Sequence, residues 1–416
     1  MSENSEIYNE RLQRYQDTVD CKPTDRVFAA PHIGILPVYL YGKEYGLTVQ
    51  SLMEDFRTGL PAWLRYHEEF QPDLACGPSS LPSKLACEAL DTNLFHWPGR
   101  HFSDPNAMIQ YTNKAYMERS EYEEYIDDPT GFMISKILPR QQKALGGLAM
   151  VNLSCPIYYD AFFNMIPFAL PPVKAAVAAM AKTGEVMLEM TAALEAYTEA
   201  FAEAGWPSMI DLGASIPFDL FNDTLRGLNE ICFDMEECPD LLLAACEKAT
   251  KVLTRNLRAQ IAQTHAHTVY FFLHNGTDYF MSREQFETFY WPGLKAMCEV
   301  VAESGGIAKV FTEDKYDAKL DILATLPKGH TIVHLVNSDL AAAKKAFDGK
   351  VCFSGGVDTT TIAFNSKEDV VKQVTGVLDI CAEGGGYIVD GMTSMDMASP
   401  ENLHAYFDTV HNYRVR

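Results

Sequence analysis

The stretch between residues 307 and 336 constrains the fold most, because it combines two strands and a helix in a short span. The apolar run at 307–311 predicts a strand. Lys319 and the apolar residues up to Leu326 then recur at helical spacing, and a Pro-Lys-Gly sequence ends that helix. Residues 331–336 are rich in β-branched side chains and predict a second strand. Such a β-α-β unit normally builds a parallel sheet.

The rest of the chain repeats this alternation of strands and helices. Further strands are predicted at 26–31, 148–155, 209–213, 268–273, 351–354 and 387–390. The longest helical stretch runs from 173 to 205, as one helix or as two that meet at Thr183-Gly184. The pattern predicts an α/β protein, with residues 1–416 forming one (β/α)8 TIM barrel. A helical arm at 1–25 and an irregular insertion at 72–118 would elaborate its N-terminal part.

Composition narrows the class of protein. The net charge of -22 argues against nucleic acid as a partner. The polar N-terminus is not a signal peptide, and the weakly charged stretch at 161–173 is too short to span a bilayer. The ten cysteines include no close C-x-x-C pair and are expected to be reduced thiols. We therefore expect a cytoplasmic protein without membrane association, and a homodimer is left open.

Glu313 and His334 follow or end the two strands of the 307–336 unit. The carboxyl ends of parallel barrel strands carry the catalytic groups of such enzymes, so both side chains are expected on one face. Carboxylate and imidazole are competent zinc ligands, and a catalytic zinc usually has three protein ligands. The alternative is structural, with Glu313 helping to cap a helix and His334 being an ordinary strand-end histidine. Cys352 lies on the next strand and could supply the third ligand, although a buried core cysteine is common.

The C-terminal half carries four segments that resemble the uroporphyrinogen decarboxylase superfamily. They are I-P-F-D-L-F-N-D-T-L-R-G-L-N-E-I at 216–231, M-S-R-E-Q-F-E-T-F-Y-W-P-G-L-K at 281–295, F-S-G-G-V-D at 353–358, and G-G-G-Y-I-V-D-G with the later S-P-E-N-L at 384–403. True decarboxylases of this superfamily hold an octa-acid tetrapyrrole with an Arg-rich N-terminal segment. The corresponding stretch here, at 30–40, contains no arginine. The resemblance therefore does not favour decarboxylation of that substrate.

The other chemistry of the superfamily is zinc-dependent methyl transfer involving a corrinoid protein. The coenzyme-M branch has a His-x-Cys motif where this chain has Phe311 and Glu313, and a later Cys where it has Met392. The branch that begins O-demethylation of aryl methyl ethers is similar to this chain, with Phe-x-Glu, then L-P-K-G, then the histidine at position 334. That resemblance places a first metal ligand about fifteen residues before the glutamate, where Cys298 stands. Cys298 is therefore the alternative to Cys352.

The resemblance implies a zinc-dependent methyltransferase, an O-demethylase methyltransferase component. It would move a methyl group from a methoxylated aromatic compound to the Co(I) corrinoid, a cobalamin, of a partner protein. The alternatives are a methylamine or methyl thioether donor, a uroporphyrinogen-decarboxylase-like lyase, and a non-catalytic binding protein on the same fold.

Five further residues are candidates for the site. His274 and Asp278 follow the strand at 268–273, where they could bind substrate, protonate a leaving group, or only pack the loop. Tyr316 follows the Glu313 turn and could line the substrate pocket. Phe163 and Met165 belong to an aromatic and methionine-rich run that could form an apolar pocket, although such a run is more often core.

Overall fold

The computed structural model describes residues 3–79, 81–153, 158–209 and 211–415. The strands are β1 Phe28–Ala29, β2 Phe95–His96, β3 Gln110–Tyr111, β4 Asp211–Gly213, β5 Thr268–Leu273, β6 Ile307–Thr312, β7 Thr331–Leu335, β8 Cys352–Val357 and β9 Tyr387–Gly391. The α-helices are α1 Glu3–Val19, α2 Leu36–Tyr45, α3 Val49–Glu54, α4 Leu60–Phe70, α5 Lys84–Leu90, α6 Tyr122–Asp127, α7 Pro129–Phe132, α8 Leu138–Gln141, α9 Asp160–Phe163, α10 Pro171–Glu203, α11 Pro217–Asp219, α12 Leu228–Glu237, α13 Pro239–Thr264, α14 Arg283–Gln285, α15 Trp291–Glu303, α16 Leu320–Leu323, α17 Leu340–Phe347, α18 Thr359–Phe364, α19 Lys367–Cys381 and α20 Pro400–Asn412. Short 3-10 turns cover Phe56–Gly59, Arg119–Glu121, Lys143–Met150, Ile166–Ala169 and Asp317–Lys319, and π-helical turns cover Met133–Ile137, Leu220–Arg226 and Phe286–Tyr290.

Seven strands form one parallel sheet in the order β1-β9-β8-β7-β6-β5-β4. The predicted unit at 307–336 lies at its centre as β6 and β7, and their register pairs Phe311 with His334. Because helices separate successive strands, the α/β class and the TIM-barrel type of fold are confirmed.

The segment around Asp73 occupies the gap between the two edges of the sheet. The backbone N–H of Asp73 donates to the carbonyl of Ala29 at 2.8 Å, and that of Ala75 donates to Pro207 at 2.8 Å. The Asp73 carboxylate also accepts the N–H of Ala29 and a guanidinium N–H of Arg26. Residues 73–76 therefore occupy the position of the eighth strand of the barrel, although they are not a regular strand.

Three regions differ from the sequence predictions. The predicted strand at 148–155 is instead a 3-10 turn up to Met150, and its last two residues lie outside the described part. The stretch at 173–205 forms one helix, α10, without a break at Thr183-Gly184. Within 72–118, the structure has helix α5 and the antiparallel β2–β3 pair besides irregular backbone.

The amino-terminal end of the barrel is closed by helix α1. Tyr15 and Val19 from this helix pack on the lowest layer of inward-facing side chains. That layer consists of Phe28, Ile332, Cys352 and Ile388. The arm predicted at 1–25 therefore seals the bottom of the barrel, which leaves the carboxyl end for the functional site.

Within the described residues, no single helix is long and apolar enough to cross a membrane. The bent pair of Ala161–Ala169 and Pro171–Glu203, which meet at 83°, passes the same test by length and composition.

Candidate functional site

A large cavity of about 1820 Å³ reaches the carboxyl ends of β5 and β6. Tyr270 and Phe272 of β5 line its inner part, and His274 and Glu313 line it where β5 and β6 end. Barrel enzymes carry their catalytic groups at this end. The volume exceeds the roughly 300–1,000 Å³ of an ordinary small-molecule pocket. The cavity can therefore hold a substrate together with part of a second large group.

Two aspartates approach the cavity from the segment that follows β4. Asp219 ends the short helix α11, and Asp223 lies in the π-helical turn Leu220–Arg226. Such turns widen a helix and are frequent at functional sites. Asp219 is buried, and its Oδ2 accepts hydrogen bonds from the Tyr290 hydroxyl at 2.7 Å and the His274 backbone at 3.2 Å. Asp223 lines the cavity itself.

The imidazole of His274 lies between two carboxylates. Its Nδ1 donates to Oδ2 of Asp223, and its Nε2 is 3.5 Å from Oε1 of Glu313. The register of β5 and β6 pairs Leu273 with Thr312, which sets the two following side chains beside each other. The sheet itself therefore brings His274 and Glu313 together.

Burial and the crowding of charges shift the pKa values in this group. Burial alone would lower the pKa of His274, but the hydrogen bond to Asp223 and the charges of Asp223, Glu313 and Asp219 raise it to about 9. Burial, helped by the Asp223 charge, raises the pKa of Glu313 against the opposing effect of His274. Burial and the same aspartate raise the pKa of Asp219 to about 7. The negative charge in this group is therefore only partly balanced.

The donor atoms fit a small divalent cation. Ligand atoms of Asp219, Asp223 and His274 all lie within 4.8 Å of one another. Oδ1 of Asp219 is buried without a hydrogen-bond partner. Two ligands of a tetrahedral zinc, each about 2.1 Å from the metal, stand roughly 3.4 Å apart. The 3.5 Å between His274 and Glu313 matches that spacing.

His334 lies deeper in the barrel than Glu313 and does not face it. Its Nδ1 lies 2.9 Å from Oγ of Ser354, and its Nε2 lies 3.1 Å from the carbonyl of Met392. The ring stacks on Phe311 at 4.1 Å between centroids. Since Phe311 and His334 are register partners, Glu313 stands two residues, or about 7 Å, higher. As a correction to the predicted ligand pair, the imidazole beside Glu313 is that of His274.

Neither candidate cysteine reaches this site. Cys352 lies in the lowest layer of the barrel interior, against Ile332 and against Tyr15 of helix α1. Cys298 is buried in the core on helix α15. Burial without a cationic partner raises the pKa of the Cys298 thiol, and burial raises that of Cys352 despite Lys309. Both positions correct the expectation of a thiolate ligand.

Asp278 and Tyr316 hold loops together rather than lining the cavity. Asp278 pairs with the buried ammonium group of Lys319 at 3.1 Å and accepts the backbone N–H of Ala318. The Tyr316 hydroxyl donates to the carbonyl of Leu273 at 3.0 Å, and its side chain is fully buried. The structural alternative therefore describes Asp278 and Tyr316 better than the predicted catalytic and substrate roles.

Phe163 and Met165 are exposed, at 65% and 51% of their surface, and do not line the cavity. The lining of the cavity instead includes Met108, Tyr111 and the part of α10 around Thr191. Phe163 and Met165, which were predicted to line the pocket, therefore belong to another surface. Part of helix α10 lines the cavity instead.

Sequence reasoning missed Asp219 and Asp223 as site residues. Both stand in the segment used for the superfamily resemblance, four positions apart. Residues four apart on a helical turn share a face, so two carboxylates at that spacing were the available signal. No sequence pattern placed that turn beside the end of β5, because the contact is purely tertiary.

Comparisons with known proteins agree with the barrel. The family model described as uroporphyrinogen decarboxylase (URO-D) matches residues 212–413. A curated uroporphyrinogen decarboxylase of Cupriavidus metallidurans is 34% identical over 79 residues, which cover 18% of this chain. The aligned part spans about a fifth, 21%, of that relative's length.

Two solved structures resemble the chain to different degrees. A methyltransferase from Methanosarcina mazei superposes with a TM-score of 0.62 at 13% identity, over 96% of this chain and 97% of that one. This likeness shows the fold over the whole length. A B12-independent methionine synthase from Shewanella sp. W3-18-1 has a TM-score of 0.34 at 12% identity, over 50% of this chain and 63% of that one. The second score is too low to bear on the fold.

Proposed function

We propose that this protein is a zinc-dependent methyltransferase that delivers a methyl group to the Co(I) corrinoid of a partner protein, a proposal supported by the uroporphyrinogen decarboxylase family model that matches residues 212–413. The observation that carries the proposal is the group of His274, Asp223 and Glu313 in the lining of the wide cavity. The proposed donor is an aryl methyl ether, as the sequence resemblance implies. A methylamine or methyl thioether is the alternative donor.

Glu313 and His274 would hold the zinc through Oε1 and Nε2. Asp223 would fix the orientation of the imidazole by accepting its Nδ1–H, an arrangement that raises the basicity of a metal-bound histidine. A carboxylate oxygen of Asp219 lies within 4.8 Å of ligand atoms of His274 and Asp223, so this residue could contribute to metal binding from the side of Asp223. The bound zinc would act as a Lewis acid toward the oxygen that the methyl group leaves.

Other residues of the cavity would position the substrate. Tyr270 and Phe272 offer aromatic surface in the inner part of the cavity, where a methoxylated ring could stack. Direct displacement needs the cobalt close to the methyl carbon, so the site must stay accessible to a corrin. The 1820 Å³ volume of the cavity and the exposure of its lining residue Tyr111 support access of that kind.

The charges of the cavity wall argue against decarboxylation of a polycarboxylate. The wall includes five carboxylates, those of Glu195, Asp211, Asp223, Glu230 and Glu313. Arg226 also lines it, but this guanidinium is buried and bonded to Asp234 at 2.6 Å. An octa-acid substrate would therefore meet mostly like charge. This supports the methyltransferase proposal over the lyase.

The decisive experiment combines metal analysis with a methyl-transfer assay. Purified protein should hold about one zinc per chain, and it should demethylate a methoxylated aromatic compound only when Co(I) cobalamin or a corrinoid protein is added. Demethylation without any corrinoid acceptor would overturn the proposal. A protein with no stoichiometric metal and no activity on any of the three donor classes would favour the non-catalytic binding protein.

A further inference from the structure

The cavity that contains the candidate site extends along the whole length of strand β5. Asn275 lines the cavity just after this strand, and residues 263–265 line it just before the strand. The six residues of the strand, Thr268–Leu273, span about 20 Å. Because residues at both ends of β5 line it, the cavity reaches the amino end of this strand as well as the carboxyl end.

Three parts of the chain form the cavity wall between these ends. They are the inner face of β4 and β5, the segment 76–79, and the part of α10 between Thr191 and Thr198. The hydroxyl oxygen of Thr198 is 3.5 Å from that of Ser208, which precedes β4, so this part of α10 stands at the amino end. The lowest layer that helix α1 covers comes instead from β1, β7, β8 and β9.

Gly213 of β4 leaves the middle of this cavity wide. It is the register partner of Tyr270, and both residues line the cavity. An added Cβ at Gly213 would meet no atom of the described residues within 4 Å. A small molecule can therefore move past this position between the two ends of β5.

The proposed reaction gives such a route a use. The corrinoid protein has to stand over His274 and Glu313, because its cobalt must come close to the methyl carbon. While it is docked, the partner covers the carboxyl end of the barrel. A donor that arrives from the amino end reaches the metal site without release of the partner.

The charges along the cavity favour an uncharged donor. Glu195 of α10 and Asp211 of β4 place carboxylates in the wall. Arg226 is the one lysine or arginine among the described lining residues, and it is bonded to Asp234. An anionic compound would therefore meet like charge. A methoxyphenol keeps its hydroxyl group protonated near pH 7, whereas a methoxybenzoate is anionic.

We propose that the cavity is a passage through which an uncharged aryl methyl ether reaches the metal site from the amino ends of β4 and β5, while the corrinoid partner covers the carboxyl end. The identity of the donor and the partner rests on the proposed function. The passage itself can be tested without any enzymatic activity.

The first test measures whether the passage is open at the amino end. The Gly213→Cys variant is treated with N-ethylmaleimide, and mass spectrometry gives the labelling rate at that position. Asn275→Trp is added to obstruct the carboxyl end. Labelling should continue in this double variant, fall at least tenfold when Gln263→Trp is added, and stay unchanged when Gln260→Trp is added instead.

Gln260 is the matched control because it is exposed on the same helix, α13, and does not line the cavity. Circular dichroism checks that each variant is folded. If labelling stops when Asn275→Trp alone is present, or if the two added tryptophans have equal effects, the proposal is overturned.

The second test measures whether the donor uses the passage. At a subsaturating methoxyphenol concentration, Gln263→Trp should lower methyl transfer to the corrinoid protein at least tenfold more than transfer to free Co(I) cobalamin. The reason is that free cobalamin leaves the carboxyl end open between turnovers. Equal losses with both acceptors would contradict the proposal, as would a higher kcat/KM for a methoxybenzoate than for the methoxyphenol. A wild-type protein that transfers no methyl group to either acceptor would overturn the proposed function instead, and the labelling rates would still decide whether the passage is open.

Discussion

Nε2 of His274 lies 3.5 Å from Oε1 of Glu313, across the ends of two hydrogen-bonded strands. The spacing suits two ligands of one zinc ion. It arises from strand register, so it does not depend on a mobile loop. On the other side of the imidazole, Asp223 accepts the Nδ1–H.

Glu313→Gln and His274→Ala should each lose bound zinc while the fold is retained. Both side chains are partly exposed to the cavity, so neither contributes to core packing. Inductively coupled plasma mass spectrometry of the purified variants measures metal content, and circular dichroism checks the fold. Cys352→Ser is the control and should keep full zinc, because the thiol lies in the lowest layer of the barrel. If Cys352→Ser lost its zinc while the other two variants kept theirs, Cys352 would be the zinc ligand and this site would be wrong.

Asp223→Asn should lower zinc affinity and methyl transfer by about 10- to 100-fold. The substitution keeps the size of the side chain but removes the anion that accepts the imidazole proton. Competition with a chelator gives the affinity, and initial rates with Co(I) cobalamin give the activity. Asp317→Asn, on the 3-10 turn after β6, is a suitable control because it removes one carboxylate outside the group. If both variants behave like wild type, Asp223 has no orienting role.

Asp278→Ala should destabilise the protein without changing methyl transfer per folded molecule. The Lys319 ammonium group, 0% exposed, would lose its 3.1 Å partner. An unpaired buried charge costs about 3 kcal/mol, although the partial exposure of Asp278 reduces this. Urea unfolding followed by fluorescence measures the loss, and adding Lys319→Met to the variant should restore part of it. A large drop in activity at unchanged stability would instead support the catalytic role predicted from the sequence.

His67 should make the protein less stable in mild acid. Its Nδ1 donates to the carbonyl of Trp63, and its Nε2 accepts the backbone N–H of Cys76, which belongs to the segment 73–76 in the position of the eighth strand. Burial lowers the pKa of His67 from 6.5 to about 4. The unfolded chain therefore binds one more proton between these values, so stability is full above about pH 6.5 and falls as the pH decreases toward 4.

The resulting loss is at most about 3 kcal/mol. Urea unfolding at several pH values measures how the free energy of unfolding changes with pH. The His67→Gln variant should show a smaller change between about pH 4 and 6.5. The exposed His404→Gln variant should keep the wild-type slope. An unchanged slope in His67→Gln would show that other groups cause the acid sensitivity.

The sequence was sufficient for the fold class because strand and helix periodicity are local properties. The pair β6 and β7 was predicted within one or two residues of its observed bounds. The depth of each inward-facing side chain was not predictable in the same way. It depends on how far neighbouring strands are offset, and this offset places His334 beside Phe311 and Cys352 two residues below the partner of His334.

The candidate site depended even more on tertiary contacts. Glu313 and His274 were each recognised from their positions after a strand, but their pairing required the register of β5 and β6. Asp223 became part of the site only because a π-helical turn far away in sequence packs against the end of β5. The pattern of apolar residues at 158–165 carried no information on whether it faced the cavity or the outside.

Residues 73–76, in the position of the eighth strand, are joined to the barrel differently from the regular strands. In the described residues, their backbone hydrogen bonds to the flanking chain are those of Asp73 and Ala75, whereas β5 and β6 are paired along six residues. Side chains add to these bonds, because the Asp73 carboxylate accepts the N–H groups of Ala29 and Arg26 and His67 accepts the backbone N–H of Cys76. Cys76 of this segment and the adjoining Gly77 also line the cavity. One edge of the cavity wall therefore depends on side-chain bonds, whereas the strands that position His274 and Glu313 are held by regular backbone pairing.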